Sequence, residues 1–150
     1  MVDARILHRL LLVCLLAGIG FSAFAAFEVL DPALQSSCSV SAFFSCGAVD
    51  KSGRTSIGPV PDWSIGLAGF VLMLAVDVPL LRSYDPRLLF GLLGLAALGL
   101  AIAGYLAYVE LYLIHALCPI CLGAYLSDLA VLLLALVLVR LRVTASAASS

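Results

Sequence analysis

A chain of 150 residues in which 64% are hydrophobic and only 11% charged, with a mean hydropathy of +1.20, lacks the polar side chains to cover a water-soluble surface. Its formal net charge of −1 and pI near 6.0 provide no basic face for nucleic acid, and no cluster of Lys and Arg marks a patch for anionic lipid. The composition is that of a membrane protein.

Four apolar runs, residues 6–27, 63–81, 88–113 and 117–139, are each long enough to cross a hydrocarbon core of about 30 Å, which takes roughly 20 helical residues. They are too long and continuous for barrel strands, so the sequence predicts an all-α, four-helix membrane bundle forming one domain over residues 1–150. The first run has Arg5 just before it and Arg9 in its first turn and ends in "SAFAAF", features shared with cleavable signal peptides. Its length of about 22 residues exceeds the usual apolar core of about 7–15, so it is expected to stay as a helix. Cys14 within it is expected to be a small packing residue.

The loop 28–62 carries "CSVSAFFSC", with Cys38 and Cys46 at its ends and Phe43 and Phe44 between them. The two rings are expected to cap the bundle mouth or to be buried at the interface. Asp62 stands where the second helix begins and reads as its N-cap. In the third run, Gly91, Gly94, Gly99 and Gly104, with Ala97, Ala101 and Ala103, predict a small-residue surface for close helix packing. Tyr105 and Tyr108 read as interfacial anchors beside Glu110 at the outer end of that helix. His115 reads as a turn residue, with a proton shuttle as the alternative. The fourth run opens with "LCPICLGAY".

Positive charge in short loops faces the cytoplasm. Arg5, Arg9, Arg82, Arg87, Arg140 and Arg142 flank one side of the four runs, against Lys51 and Arg54 on the other. Six to two predicts cytoplasmic termini and an extracytoplasmic loop 28–62, with the turn at His115 on the same outer face. Cys38, Cys46, Cys118 and Cys121 then gather on the side where disulfides persist.

A C-x-x-C can close a small disulfide with little chain rearrangement. Pro119 suits a first helical turn, since its missing N–H needs no intrahelical partner there. Cys118 thus sits at a helix start, where free N–H groups and the dipole favour a thiolate. Two readings follow. A Cys₄ zinc site would use all four thiols, although the seven residues between Cys38 and Cys46 exceed the two to four usual in structural zinc hairpins. A thiol–disulfide relay would use one pair in a loop, within reach of a soluble protein, and one at the membrane edge, within reach of a lipid-soluble carrier. Haem attachment is excluded, because Leu122 occupies the position where C-x-x-C-H needs histidine.

"CSVSAFFSCGAVDKS", "GPVPDWSIGLAG" and "GYLAYVELYLIHALCPICLGAY" together resemble the vitamin K epoxide reductase family, including its bacterial and archaeal disulfide-forming members. The resemblance rests on C-x7-C, on C-x-x-V-x-x-S through Val49 and Ser52, on P-x-x-x-x-G at Pro61 and Gly66, and on C-P-x-C at the fourth helix. It implies that Cys38 exchanges with a thioredoxin-like partner, Cys46 passes electrons to Cys118, and Cys121 faces a quinone such as menaquinone, ubiquinone or a vitamin K-like molecule. It also implies that the Tyr125 hydroxyl meets a quinone carbonyl. Asp62-Trp63-Ser64 replaces the Asn or small polar residue of many relatives, making Asp62 and Ser64 candidate quinone contacts. Asp62 can donate there only if protonated.

The expected function is therefore a membrane thiol:quinone oxidoreductase that supports disulfide formation. The chain stops soon after the fourth helix, so its thioredoxin-like partner is expected to act in trans. Vitamin K epoxide reduction of the vertebrate type and a non-catalytic Cys₄ metal-binding protein are the alternatives. A DsbB-type enzyme would carry its C-x-x-C in the first outer loop, unlike this chain.

Overall fold

The computed structural model describes residues 4–56, 59–82 and 85–148. In order they form α1 (Ala4–Leu30), α2 (Pro32–Cys38), α3 (Cys46–Lys51), α4 (Asp62–Arg82), α5 (Pro86–Tyr108), a π-helical turn (Val109–Ile114) and α6 (Pro119–Ala148). Gly58, at the head of the second family-like stretch, lies outside the described residues.

Four spans are long and apolar enough to cross a membrane: Arg5–Leu30, Asp62–Arg82, Pro86–Ile114 and Pro119–Leu141. The fold is the expected four-helix membrane bundle. Helix is the physical solution for such runs, because lipid offers the backbone no hydrogen-bonding partner. The third helix starts two residues earlier than expected: Asp85 accepts from the Arg87 N–H at 2.9 Å and Pro86 takes the first turn, an N-terminus that polar residues write outside the apolar run.

The helices close a ring in which α1 packs on α4 and α6, and α5 packs on the same two from the other side. The core within it is a column of apolar side chains at helical spacing, among them Leu7, Leu11 and Leu15 of α1, Phe70 and Met73 of α4, Leu92 and Ala96 of α5, and Val131 and Ala135 of α6. Cys14 packs against this column, as a small apolar side chain does. Close approaches between α1 and its neighbours occur at three glycines: Gly18 faces the Phe70 ring, Gly66 faces Ser22 Oγ and Gly123 faces the Phe21 ring, and a Cβ at any of them would overlap its neighbour. Gly66 of the P-x-x-x-x-G motif is thus a contact point between α1 and α4.

The small-residue surface expected of α5 is corrected. Gly91, Gly94 and Gly104 have open space where a Cβ would stand, and Ala97 and Ala101 are exposed. Only Gly99, against Asp128, and the buried Ala103 face inward. The run carries small residues on every side, whereas one stripe of a helix meets its neighbours.

Candidate active site

Local sequence explains how each cysteine is held. Asp31 accepts from the Ala33 N–H at 2.9 Å and Pro32 fills the first turn, so α2 begins there and ends on Cys38. Ser45 caps α3 similarly, its Oγ accepting from the Ala48 N–H at 3.2 Å, and Cys46 is the first residue of that helix. At the other end Ser52 Oγ donates to the Val49 carbonyl at 2.6 Å and accepts from the Arg54 N–H at 3.2 Å. Gly53 follows at φ 64°, a left-handed position that glycine adopts without steric cost. In C-x-x-V-x-x-S, then, Cys46 opens a short helix, the fully buried Val49 packs with the cysteines, and Ser52 closes it.

Backbone hydrogen bonds fasten this loop to the membrane edge. The Leu117 N–H donates to the Phe43 carbonyl at 2.7 Å and the Ser45 N–H donates to the Leu117 carbonyl at 3.0 Å, a one-rung parallel bridge between Phe44 and Leu117. Both residues beside the bridge are cysteines or lead directly to one. Cys38 and Cys46 are joined as a disulfide, and Cys118 Sγ lies 3.2 Å from Cys46 Sγ. Cys118 and Cys121 are free thiols. The Cys121 N–H donates to Cys118 Sγ at 3.2 Å, so the sulfur itself accepts one of the unpaired N–H groups at the start of α6. The expectation that Phe43 and Phe44 cap the bundle with their rings is corrected. The rings meet edge to face at 5.1 Å, are exposed and do not line the cavity below; their backbone makes the contact that matters.

That cavity, of about 540 Å³, opens among α1, α4, α5 and α6. Its walls are largely apolar and include Asp62, Ser64, Cys121, Tyr125 and Asp128, a size and lining suited to a small organic ring. Cys118 stands between the loop disulfide and Cys121, the cysteine that reaches the cavity. Asp62 Oδ1 accepts from the Trp63 N–H at 2.7 Å and Ser64 Oγ donates to the Pro61 carbonyl at 2.7 Å; both serve the start of α4 while lining the cavity. Outside the membrane-spanning segments, burial pushes the Asp50 carboxyl above its ordinary range, and the Gln35 amide, donating to it at 3.4 Å, pulls it partly back.

The sulfurs of Cys38, Cys46 and Cys118 lie within 4.8 Å of one another, a cluster that suits thiol exchange and resembles a soft-metal site in outline. The family model described as the vitamin K epoxide reductase family matches residues 9–136 of this chain. The chain belongs to the vitamin K epoxide reductase family. A comparison with curated proteins gives no match. Membership makes this chain a multi-pass membrane oxidoreductase working between thiols and quinones, and Cys38, Cys46, Cys118, Cys121 and Tyr125 all fall inside the matched segment.

In this vitamin K epoxide reductase family member, sequence reasoning missed two groups of the site. Glu110, left beside the anchoring tyrosines, is fully buried (0% exposed), accepting from the Cys118 N–H at 3.0 Å and from the Tyr125 hydroxyl at 2.8 Å. Asp128, 4% exposed, lines the cavity opposite Gly99. The available signal was an acidic residue inside an apolar span, rare unless it does something there. Tyr105 and Tyr108 are exposed and stay off the cavity, Tyr108 stacking on Tyr112 at 5.0 Å. His115 is exposed at the turn, its Nδ1 3.0 Å from the Leu111 carbonyl.

Proposed function

We propose that this chain oxidises an extracytoplasmic thioredoxin-like protein and delivers the electrons to a membrane quinone, supporting disulfide formation, as one domain with both termini in the cytoplasm. A reduced partner opens the Cys38–Cys46 disulfide by attack at Cys38, the less buried of the two at 8% exposed against 1%. The partner's second thiol then displaces Cys38, so that the partner leaves as its own disulfide and Cys38 and Cys46 are both thiols. The Cys46 thiolate then attacks a Cys118–Cys121 disulfide at Cys118, giving a Cys46–Cys118 bond and a Cys121 thiolate; Cys38 resolves it, re-forming Cys38–Cys46 and leaving Cys118 and Cys121 reduced. The dithiol finally gives two electrons and two protons to a quinone, which leaves as quinol while the Cys118–Cys121 disulfide returns. Tyr125, Asp62 and Ser64 contact the quinone in this reading.

The observation that carries the proposal is the 3.2 Å approach of Cys118 Sγ to Cys46 Sγ, together with Cys121 on the wall of the cavity. The test is purified protein in detergent, supplied with a reduced thioredoxin-like protein and menadione or ubiquinone-1. Wild type should consume quinone and partner thiol in equal electron counts. Cys38→Ala should stop partner oxidation and accumulate a Cys46–Cys118 disulfide, found by mass spectrometry of unreduced peptides. Stoichiometric zinc, with no trapped disulfide, would favour the metal-binding alternative and sink the relay. Turnover with vitamin K epoxide but not with quinone would favour the reductase alternative.

A further inference from the structure

Besides its cysteines, the site holds a buried carboxyl that the relay does not use. Glu110 stands on the π-helical turn between α5 and the C-x-x-C, and its two oxygens are divided between the two halves of the reaction. Oε2 accepts from the backbone N–H of Cys118, and Oε1 accepts from the Tyr125 hydroxyl. Tyr125 in turn lines the cavity that also receives Cys121. A carboxyl with no exposure, inside an apolar span and with both oxygens engaged, is costly to keep unless its proton or charge is used.

We propose that Glu110 stores and passes one of the two protons of quinone reduction, acting through Tyr125, while its other oxygen holds Cys118 in place. The inference rests on the quinone reading of the cavity. With Glu110 ionised, the Tyr125 O–H is committed to Oε1, as in the structure. A proton on Oε1 reverses that bond: Glu110 donates to the Tyr125 oxygen, and the tyrosine hydrogen turns to the cavity and the quinone carbonyl. Because Oε2 is occupied by the Cys118 N–H, Oε1 is the oxygen left for the proton. In the reaction, the Cys118 and Cys121 S–H bonds break, one S–S bond forms and two electrons enter the quinone ring. One quinone oxygen takes its proton from the Cys121 thiol. The other takes the Tyr125 hydrogen, Tyr125 is refilled from Glu110 Oε1, and Glu110 is restored by the proton that Cys118 releases. Glu110 is thus a positioning residue that moves a proton through another group; it does not touch the quinone.

The titratable groups that face Glu110 are Asp62 of α4, Asp50 of α3, and Cys118, Cys121 and Tyr125 at and within α6, so a pH profile must be read against variants of the acids among them. The experiment follows single-turnover reduction of menadione by pre-reduced protein across pH in wild type, Glu110→Gln, Tyr125→Phe, the double variant, Asp62→Asn and Asp50→Asn. Gln keeps an oxygen for the Cys118 N–H and an N–H₂ for the Tyr125 oxygen, so the hydroxyl still points to the quinone but cannot be refilled. Glu110→Gln should therefore lower the rate at saturating quinone about 10²-fold, the usual range for a lost proton-transfer group, with menadione KM changed less than about 3-fold. It should also remove one ionisation from the profile that Asp62→Asn and Asp50→Asn leave in place. Adding Tyr125→Phe should cost less than about 3-fold more, since both act in one path. Formation of the Cys46–Cys118 disulfide in a Cys38→Ala background should match that of the same background with Glu110 intact, which certifies the fold. A rate and pH profile like those of wild type, multiplicative losses in the double variant, or equal slowing of disulfide formation and quinone reduction would each overturn the proposal. A wild type that reduces no quinone would instead defeat the underlying reading.

Discussion

Asp50 shows how a single loop residue can oppose the fold it sits in. It lies on α3, half-buried, with the Gln35 amide as its hydrogen-bonding partner, and burial raises its carboxyl above the ordinary value. A raised carboxyl favours the protonated form in the folded state, so the contribution of Asp50 to stability is greatest below the unfolded value near 3.9 and declines as pH rises through the folded one. Asp50→Asn keeps a partner for Gln35 and removes that decline. Its thermal midpoint in detergent should equal wild type at pH 4 and exceed it at pH 8; a lower midpoint at pH 8 would show that the carboxylate stabilises the loop. The opposite balance holds for the cysteine pairs, where apolar packing by Val49, Ala116 and Ile120 keeps sulfurs close without a charged partner from the loop.

Among elements, the decisive one is the short passage from the π-helical turn to α6. His115 ends it at φ 58° and ψ 29°, a left-handed conformation that costs a non-glycine residue about 1–2 kcal/mol and a β-branched one more. The strain is tied to position: the Ala116 N–H that follows donates to the Glu110 carbonyl at 3.1 Å, turning the chain so that Leu117 pairs with Phe44 and Cys118 meets Cys46. His115→Gly should therefore keep or raise the thermal midpoint even though the bond to the Leu111 carbonyl is lost. His115→Val should lower it and slow formation of the Cys46–Cys118 disulfide in a Cys38→Ala background. Equal behaviour of the two variants would mean that the turn is held by its neighbours and not by the backbone at this residue. A proton-shuttle role would instead make His115→Gly slow at quinone reduction.

At the level of the whole molecule, the ring of four helices places the loop 28–56 and the C-x-x-C at one end, with the arginines that flank α4 and α5 at the other. The six-to-two distribution of basic residues predicts that the cysteine end faces outward. In intact spheroplasts, with the protein reduced, a membrane-impermeant maleimide should label Cys38 or Cys46, and a maleimide-reactive cysteine added after Arg142 should stay protected until the membrane is broken. The reverse pattern would invert the orientation and move the thiol chemistry to the reducing compartment.

Much of this could be read from the chain alone, because the signals are local or one-dimensional. Four apolar runs of bilayer length dictate four helices, and Pro119 after Cys118 dictates that a helix begins at the C-x-x-C. The cysteine spacing and its flanking Val49 and Ser52 were legible as a resemblance, which membership in the family bears out. Tertiary structure decided what depends on residues far apart in the chain: that Cys46 stands against Cys118, that a bridge through Phe44 and Leu117 holds it there, that Glu110 joins Cys118 to Tyr125, and which side of α5 faces the bundle. Hydropathy reports how much surface must avoid water, but in a membrane lipid and protein neighbours are equally apolar. The direction a small or acidic side chain faces is therefore settled only when the helices pack.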